Sequence, residues 1–194
     1  MPSLMDVALA VLEGVAAGGV RASASILDRA PGTVSKQLAV LRRAYLVDGE
    51  GRPVVPDLFE AVVDAWNPAR VPLGGRPTVD DAMGWVLADT AAASAWAAPV
   101  VVTADSPPDF YLPDSASLRR ARALLGEAEF GRHGCTVAEA PAPFVCRRMY
   151  ERGVGFPAPS HIVAASDLAA DPARARGILE AWSSNLPPEV HRVW

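Results

Sequence analysis

Four polar side chains, Thr33, Ser35, Lys36 and Gln37, stand in the run PGTVSKQLAVLRR, interleaved with Val34, Leu38 and Leu41. The apolar three recur at i, i+4 and i+7, the period of one helical stripe, so the polar four and Arg43 fall on other faces of the same helix. Their chemistry is recognition, not bond making. Pro31, Gly32, Thr33 and Ser35 keep the first turn small, so that unpaired backbone N–H groups and the positive end of the helix dipole can approach a phosphate. Lys36 and Gln37 are long enough to reach base edges or phosphates in a major groove, and Arg42 and Arg43 are placed for the backbone beyond it.

The helix needs neighbours to hold it. Behind it, Tyr45-Leu46-Val47 and Pro53-Val54-Val55 flank Asp48-Gly49-Glu50-Gly51-Arg52, which reads as a short hairpin with Arg52 near its tip. Ahead of it, a helix over Ser3 to Ala17 is expected, capped by Ser3 and ended by Gly18-Gly19, then a short helix over Ala22 to Arg29. After the hairpin, Pro56-Asp57 starts a helix whose Phe59, Val62, Val63 and Trp66 share one face. A basic amphipathic helix alone is commonly a solvated surface. The ordered series is more specific, and its residues resemble the winged helix-turn-helix family of bacterial transcription regulators, whose recognition helices often read STVSRxLxxLxxxGLV. The resemblance implies a DNA-binding unit over residues 1–66.

Composition sets the remaining bounds. The 194 residues are 51% hydrophobic with a net charge of −4, enough for one domain or two small ones with packed cores. Residues 1–70 carry seven basic and eight acidic side chains and residues 78–194 ten and fourteen, so the second half holds the acidic excess. Between Pro31 and Pro53 there are four basic residues against two acidic. A modest local patch of this kind predicts few phosphate contacts per subunit, a shallow salt dependence and a need for two copies on DNA, hence a homodimer. The start, MPSLMDVALAVLEG, lacks a basic leader, and no charge-free apolar run is long enough to span a bilayer, so a cytoplasmic location without membrane contact is expected.

Asn67 to Pro77, with three prolines and two glycines, reads as a linker, and residues 78–194 as a mixed α/β domain, which makes the chain α/β (α+β) as a whole. Thr78 is expected to cap a long Ala-rich helix reaching Trp96, with Asp81 as the capping-box acid. Pro99 to Thr103 and Phe110 to Leu112 look like strands, and Asp114 caps a helix that Gly126 closes. Cys135–Glu139 and Phe144–Arg148 read as a hairpin about Ala140-Pro141, which would set Cys135 opposite Cys146. Two buried thiols in a reducing compartment are the simpler reading; a redox switch is the other. Two final helices flank Asp171-Pro172.

Little in the second half suggests catalysis. The only lysine is Lys36, so the lysine of a metal-dependent nuclease is missing, and Gly74-Gly75 with Asp80-Asp81 imitates a nucleotidyltransferase motif poorly. No Gly-rich phosphate loop occurs, Asp105, Asp109 and Asp114 sit beside prolines as loop and cap residues do, and His133 with Cys135 and Cys146 lacks metal-ligand spacing. Neither catalytic residues, nor a metal, nor a cofactor are expected.

The runs TAAASAWAAPVVVTADSPPDFYLPD and SHIVAASDLAADPARARGILEAW resemble the C-terminal region of actinobacterial antitoxins of the AbiEi type, which join a winged helix to an α/β domain. That resemblance implies an autorepressor of a type IV toxin–antitoxin operon that counters a nucleotidyltransferase toxin without a stable toxin complex. Ala165-Ser166-Asp167-Leu168-Ala169 departs from the usual ALDLA text, which leaves a stand-alone regulator open. The expected function is sequence-specific binding of double-stranded operator DNA through Thr33, Ser35, Lys36, Gln37, Arg42, Arg43 and Arg52. Two alternatives stand beside it. One is a small-molecule sensor with a pocket lined by Trp85, Trp96, Phe110 and Tyr111; the other is a protein-interaction module that never touches DNA.

Overall fold

The computed structural model describes residues 2–80, 83–103, 106–153 and 155–183. Its class is mixed α/β, nine α-helices among the described residues with a four-stranded sheet. Helices α1 (Pro2–Leu12), α2 (Gly19–Leu27), α3 (Pro31–Arg43) and α4 (Asp57–Asp64) come first. The first helix is shorter than its apolar pattern predicts, because Gly14 turns the chain into the left-handed region at φ 71° and Val15–Gly18 follow as a 3-10 turn. Asp28 to Ala30 join α2 to α3, and Pro31 fits the first turn of α3, where its missing N–H is not needed.

Between α3 and α4 the hairpin is narrow. Val47 bridges Pro53, Val54 N donates to Leu46 O at 2.9 Å and Asp48 N to Arg52 O at 2.9 Å. The Asp48 carboxylate closes the tip by accepting from Glu50 N at 2.9 Å and Arg52 N at 2.8 Å, the Asx-turn geometry that makes aspartate a turn residue.

The sheet has the order β1-β4-β3-β2, built from β1 (Val71–Leu73), β2 (Val86–Ala88), β3 (Asp109–Leu112) and β4 (Cys135–Glu139). β3 and β4 run parallel with Phe110 beside Val137, while β2 and β1 add antiparallel edges. A parallel neighbour requires a crossover, which α6 (Ser115–Leu125) supplies by packing on both β3 and β4. Asp114 caps α6 by accepting from Ser117 N at 2.7 Å, and Gly126 ends it at φ 70°. Around the sheet lie α5 (Asp89–Ala95), α7 (Pro143–Arg147), α8 (His161–Ala169) and α9 (Pro172–Ser183). Asp171 Oδ1 accepts from Ala173 N at 3.2 Å ahead of the last helix.

Four expectations fail here, each for a physical reason. The long helix from Thr78 to Trp96 is replaced by β2 followed by α5: Gly84 sits at φ 75°, and Val86 to Ala88 are fully buried as they pair with β3. Asp81 lies outside the described residues. Val100 to Thr103 form no strand; Val101 is 87% exposed, so β-branched composition without a free sheet edge beside it does not suffice. Phe144 to Arg148 belong to helix α7, with Pro143 in its first turn and the Phe144 N–H donating to Asp6 Oδ1 at 2.9 Å. No hairpin therefore forms about Ala140-Pro141, and β4 pairs with β3 and β1. Finally, the stretch expected as a linker contains β1, whose Val71 pairs with Val137.

The first four helices and the sheet share one continuous set of buried apolar side chains. Polar ties reinforce the junction. Asp6 of α1, 1% exposed, receives both Phe144 N and the Arg29 guanidinium at 3.2 Å, and Arg147 donates to Leu27 O. Glu13, just past α1, meets Arg148 at 2.8 Å.

Candidate nucleic-acid interface

Helix α3 is divided cleanly by burial. Val34, Leu38 and Leu41 are 0%, 5% and 3% exposed, each contributing about 1.5–3 kcal/mol of apolar burial. Thr33, Ser35, Lys36, Ala39, Val40, Arg42 and Arg43 are exposed, and Gln37 is half-buried. The outer face is therefore carried on a rigidly seated helix. Lys36 enters no ion pair among the described residues, and Arg43 Nε only turns back to Ala39 O at 3.3 Å. Both long cations remain available for an external acceptor.

Arg42 has a structural task as well. Its Nε donates to Asp48 O at 3.3 Å and its guanidinium lies along Gly51, which takes φ 87°. Helix α3 is thereby pinned to the hairpin. Arg52 stands at the hairpin tip, as its position in the turn predicts, but is paired with Glu50 at 2.7 Å, both side chains exposed. A pair this exposed contributes little and exchanges readily for a phosphate. Of the seven expected contact residues, six thus sit on α3 and one on the hairpin that Arg42 ties to it.

The four aromatics of the sensor reading are dispersed into packing roles. Trp85 and Phe110 stack edge to face at 5.4 Å, and Phe110 meets Phe156 at 4.9 Å. Tyr111 is wholly buried against Trp66 at 6.5 Å. Trp96 lies elsewhere, between Tyr150, His161 and the Arg152 guanidinium, its Nε1 donating to Pro159 O at 2.8 Å.

A second polar constellation was not anticipated. Asp167, within α8, accepts at Oδ1 from Trp66 Nε1 at 2.8 Å, from Arg70 Nη2 at 3.2 Å and from the Tyr111 hydroxyl, and at Oδ2 from Asp89 N at 2.8 Å. Arg70 also lies 3.9 Å from Asp89 and over the Tyr111 ring, and Asp109 accepts from the Thr136 hydroxyl next door. Burial pushes Asp167 above the usual carboxylate range, while Arg70, Tyr111, Trp66 and the Asp89 amide pull the other way. Burial alone would lower Arg70, but Asp167, Tyr111, Asp109 and Asp89 more than offset it and hold the guanidinium charged. Asp89 adopts φ 48°, a left-handed conformation that presents its amide to Asp167. The Arg70 and Asp167 side chains are only 17% and 2% exposed, so the cluster acts as a tie between the end of α4, the start of β1, the sheet and α8, not as an open site. A sequence signal for it exists: Asp167 is the single acid in a helix buried from Ile162 to Leu168, and a buried acid requires donors.

The cysteines are apart in role. Cys135 is buried in β4, its thiol donating to Gly75 O at 3.3 Å, and Cys146 is half-buried on α7; both are free. Among the described residues no group of three or more His, Cys, Asp or Glu side chains is placed to hold a metal ion, and no helix is long and apolar enough to cross a membrane. No protein-family model, no curated protein and no solved structure matches the chain.

Proposed function

We propose that the chain is a sequence-specific regulator that binds double-stranded DNA through α3. The observation that carries this reading is the division of that helix: three fully seated apolar side chains inside, and outside a small first turn followed by Lys36 and Arg43 with no internal charge partner. A 13-residue helix presenting such a face has the dimensions to enter a major groove. Its N-terminal residues Thr33 and Ser35 lie nearest the base edges or phosphates, Lys36 and Gln37 read or steer, and Arg43 meets the backbone. The neighbouring hairpin supplies Arg52 as the wing of a winged helix-turn-helix.

The negative total charge is compatible with this because the acids lie mainly in the second half. With few phosphate contacts per subunit, useful affinity requires two copies on an operator. The resemblance to AbiEi-type antitoxins makes the chain's own upstream region the first DNA to try, and autorepression the biological role proposed.

A salt-titrated gel shift on that region against scrambled DNA tests the reading. Specific binding is expected, and the double variant Lys36→Ala/Arg43→Ala should bind all sequences more weakly and lose about two units of salt slope, in line with roughly one phosphate per cation. Equal binding by wild type and variant, or none by either at low salt, would remove α3 as a DNA surface.

A further inference from the structure

Helix α3 ends in a tight reversal. The Leu46 N–H donates to Leu41 O and the Tyr45 N–H to Arg42 O, both at 3.0 Å, the paired bonds of a Schellman motif, in which the residue after the cap turns left-handed. Leu46 is thereby returned against the core that contains Leu41. The residue at the turning position is Tyr45, at φ 59°. Glycine fits such a position because it has no Cβ to clash, whereas a bulky side chain there is a genuine outlier. Four non-glycine residues take positive φ among those described. Asp28 and Asp89 are of the type that tolerates it, and each is held, Asp28 by Arg147 at 3.3 Å and Asp89 through its amide to Asp167. Ala97 carries only a methyl group. Tyr45 is the exception: it is 83% exposed, and no hydrogen bond or ring contact holds its side chain among the described residues.

Backbone strain that packing does not offset points to a role outside the fold. From its place and chemistry, we propose that Tyr45 is a further DNA contact of the interface, its hydroxyl donating to a backbone phosphate beside the one that Arg43 meets. The proposal rests on the DNA reading of α3 and adds to it an uncharged contact residue. Tyr45 stands two residues after Arg43, where α3 passes into the hairpin. It follows Ser35 by ten residues, about 15 Å of helical rise, which exceeds the roughly 12 Å width of a major groove. With the first turn directed at the bases, Tyr45 therefore meets the sugar–phosphate wall. A tyrosine hydroxyl is a regular donor to phosphate oxygens, and its rigid ring loses little freedom on being ordered. The negative end of the helix dipole would repel a phosphate here, but Arg42 and Arg43 occupy the last turn and offset it. Arg42, bonded to Asp48 O, also fixes the hairpin beside which Tyr45 is carried.

The salt-titrated gel shift on the full chain separates this contact from the charged ones, because a hydroxyl displaces no counterion. Tyr45→Phe, which removes the hydroxyl alone, should weaken binding about tenfold at every salt concentration with the slope unchanged, whereas Lys36→Ala/Arg43→Ala lowers the slope. Tyr45→Gly should lose at least as much affinity and yet melt about 2–4 °C higher in the absence of DNA, since the strained backbone is relieved and no packing is lost. Weaker binding by a more stable fold is a result that a packing residue cannot give. Tyr45→Phe binding as tightly as wild type, beside a weakened Lys36→Ala/Arg43→Ala, overturns the contact and leaves the reading of α3 intact. A lower melting temperature for Tyr45→Gly shows that the ring serves the fold, and overturns it as well. Self-association of the free chain in sedimentation, abolished by Tyr45→Gly, assigns the ring to a second copy with the same consequence. Wild type that binds no DNA, or a Lys36→Ala/Arg43→Ala variant that binds as wild type does, removes the α3 reading and the Tyr45 contact together.

Discussion

Trp66 Nε1 donates to Asp167 Oδ1 at 2.8 Å, joining the end of α4 to the middle of α8 across 101 positions of chain. That oxygen is shared with Arg70 and Tyr111, so three donors, two from the stretch between α4 and β1 and one from β3, converge on one buried acceptor. A buried pair of this sort contributes little over a well-packed apolar substitute, but breaking it leaves a charge without its partner. Arg70→Met is therefore expected to lower unfolding free energy by roughly 3–5 kcal/mol in urea denaturation. Adding Asp167→Asn to it should recover part of the loss, because the unpaired charge is then gone. Strict additivity of the two changes would show that Arg70 and Asp167 are not coupled.

Glu13 has a carboxyl that is 3% exposed, pushed from 4.5 up to about 7 by burial, against the opposing pull of the Ser160 hydroxyl and of Arg148. The folded state thus holds the proton over a window in which the unfolded chain has released it. The stability linked to this group is fully present below pH 4.5 and is lost as pH rises through about 7, a total of about 3 kcal/mol. Glu13→Gln is expected to flatten the pH dependence of the melting temperature between pH 5 and pH 8, roughly the window of this shift. A wild-type profile that rises across that window by the same amount as the variant's would exclude the assignment.

Gly134 leads into β4, where a Cβ would lie 2.7 Å from Gly74 O and 2.8 Å from Gly75 O. Both neighbours are backbone atoms, which have no rotamer with which to yield. Gly134→Ala should cost about 2–3 kcal/mol by forcing β1 and β4 apart, whereas Gly49→Ala at the hairpin tip meets nothing within 4 Å and should be close to neutral. Comparable melting temperatures for the two variants would mean that the β1–β4 contact is not tight.

How much of this is legible in the sequence depends on range. The seating of α3 is visible in Val34, Leu38 and Leu41 because their helical period is a local pattern, and the caps Asp114 and Asp171 announce themselves by type and position. The strand expected over Phe144 to Arg148 fails because its apolar residues suit a short helix equally well, and the deciding partner, Asp6, lies 138 positions away. The Arg70 cluster is hidden for the same reason: Arg70 meets Tyr111 and Asp167 at separations of 41 and 97. The Pro- and Gly-rich text around Arg70 signals a linker, yet three of its residues complete a sheet edge, since strand pairing there is decided by β4 and not by local propensity.

Burial pushes Cys135 up to about 11, with Asp109 adding to the rise and Arg76 opposing it, and burial likewise pushes Cys146 up to about 12. Since the thiolate is the reacting species, both should resist alkylation in the native state. Cys135 lies in β4 and Cys146 in α7, so they are not cross-strand partners, and the redox-switch reading loses its geometry. Iodoacetamide at pH 7.5 is expected to label neither thiol in an hour in buffer and both within minutes in urea, read by intact mass. Rapid native labelling of Cys146, the less buried of the two, would show that α7 opens readily and that the Asp6–Phe144 tie holding its N-terminus is weak.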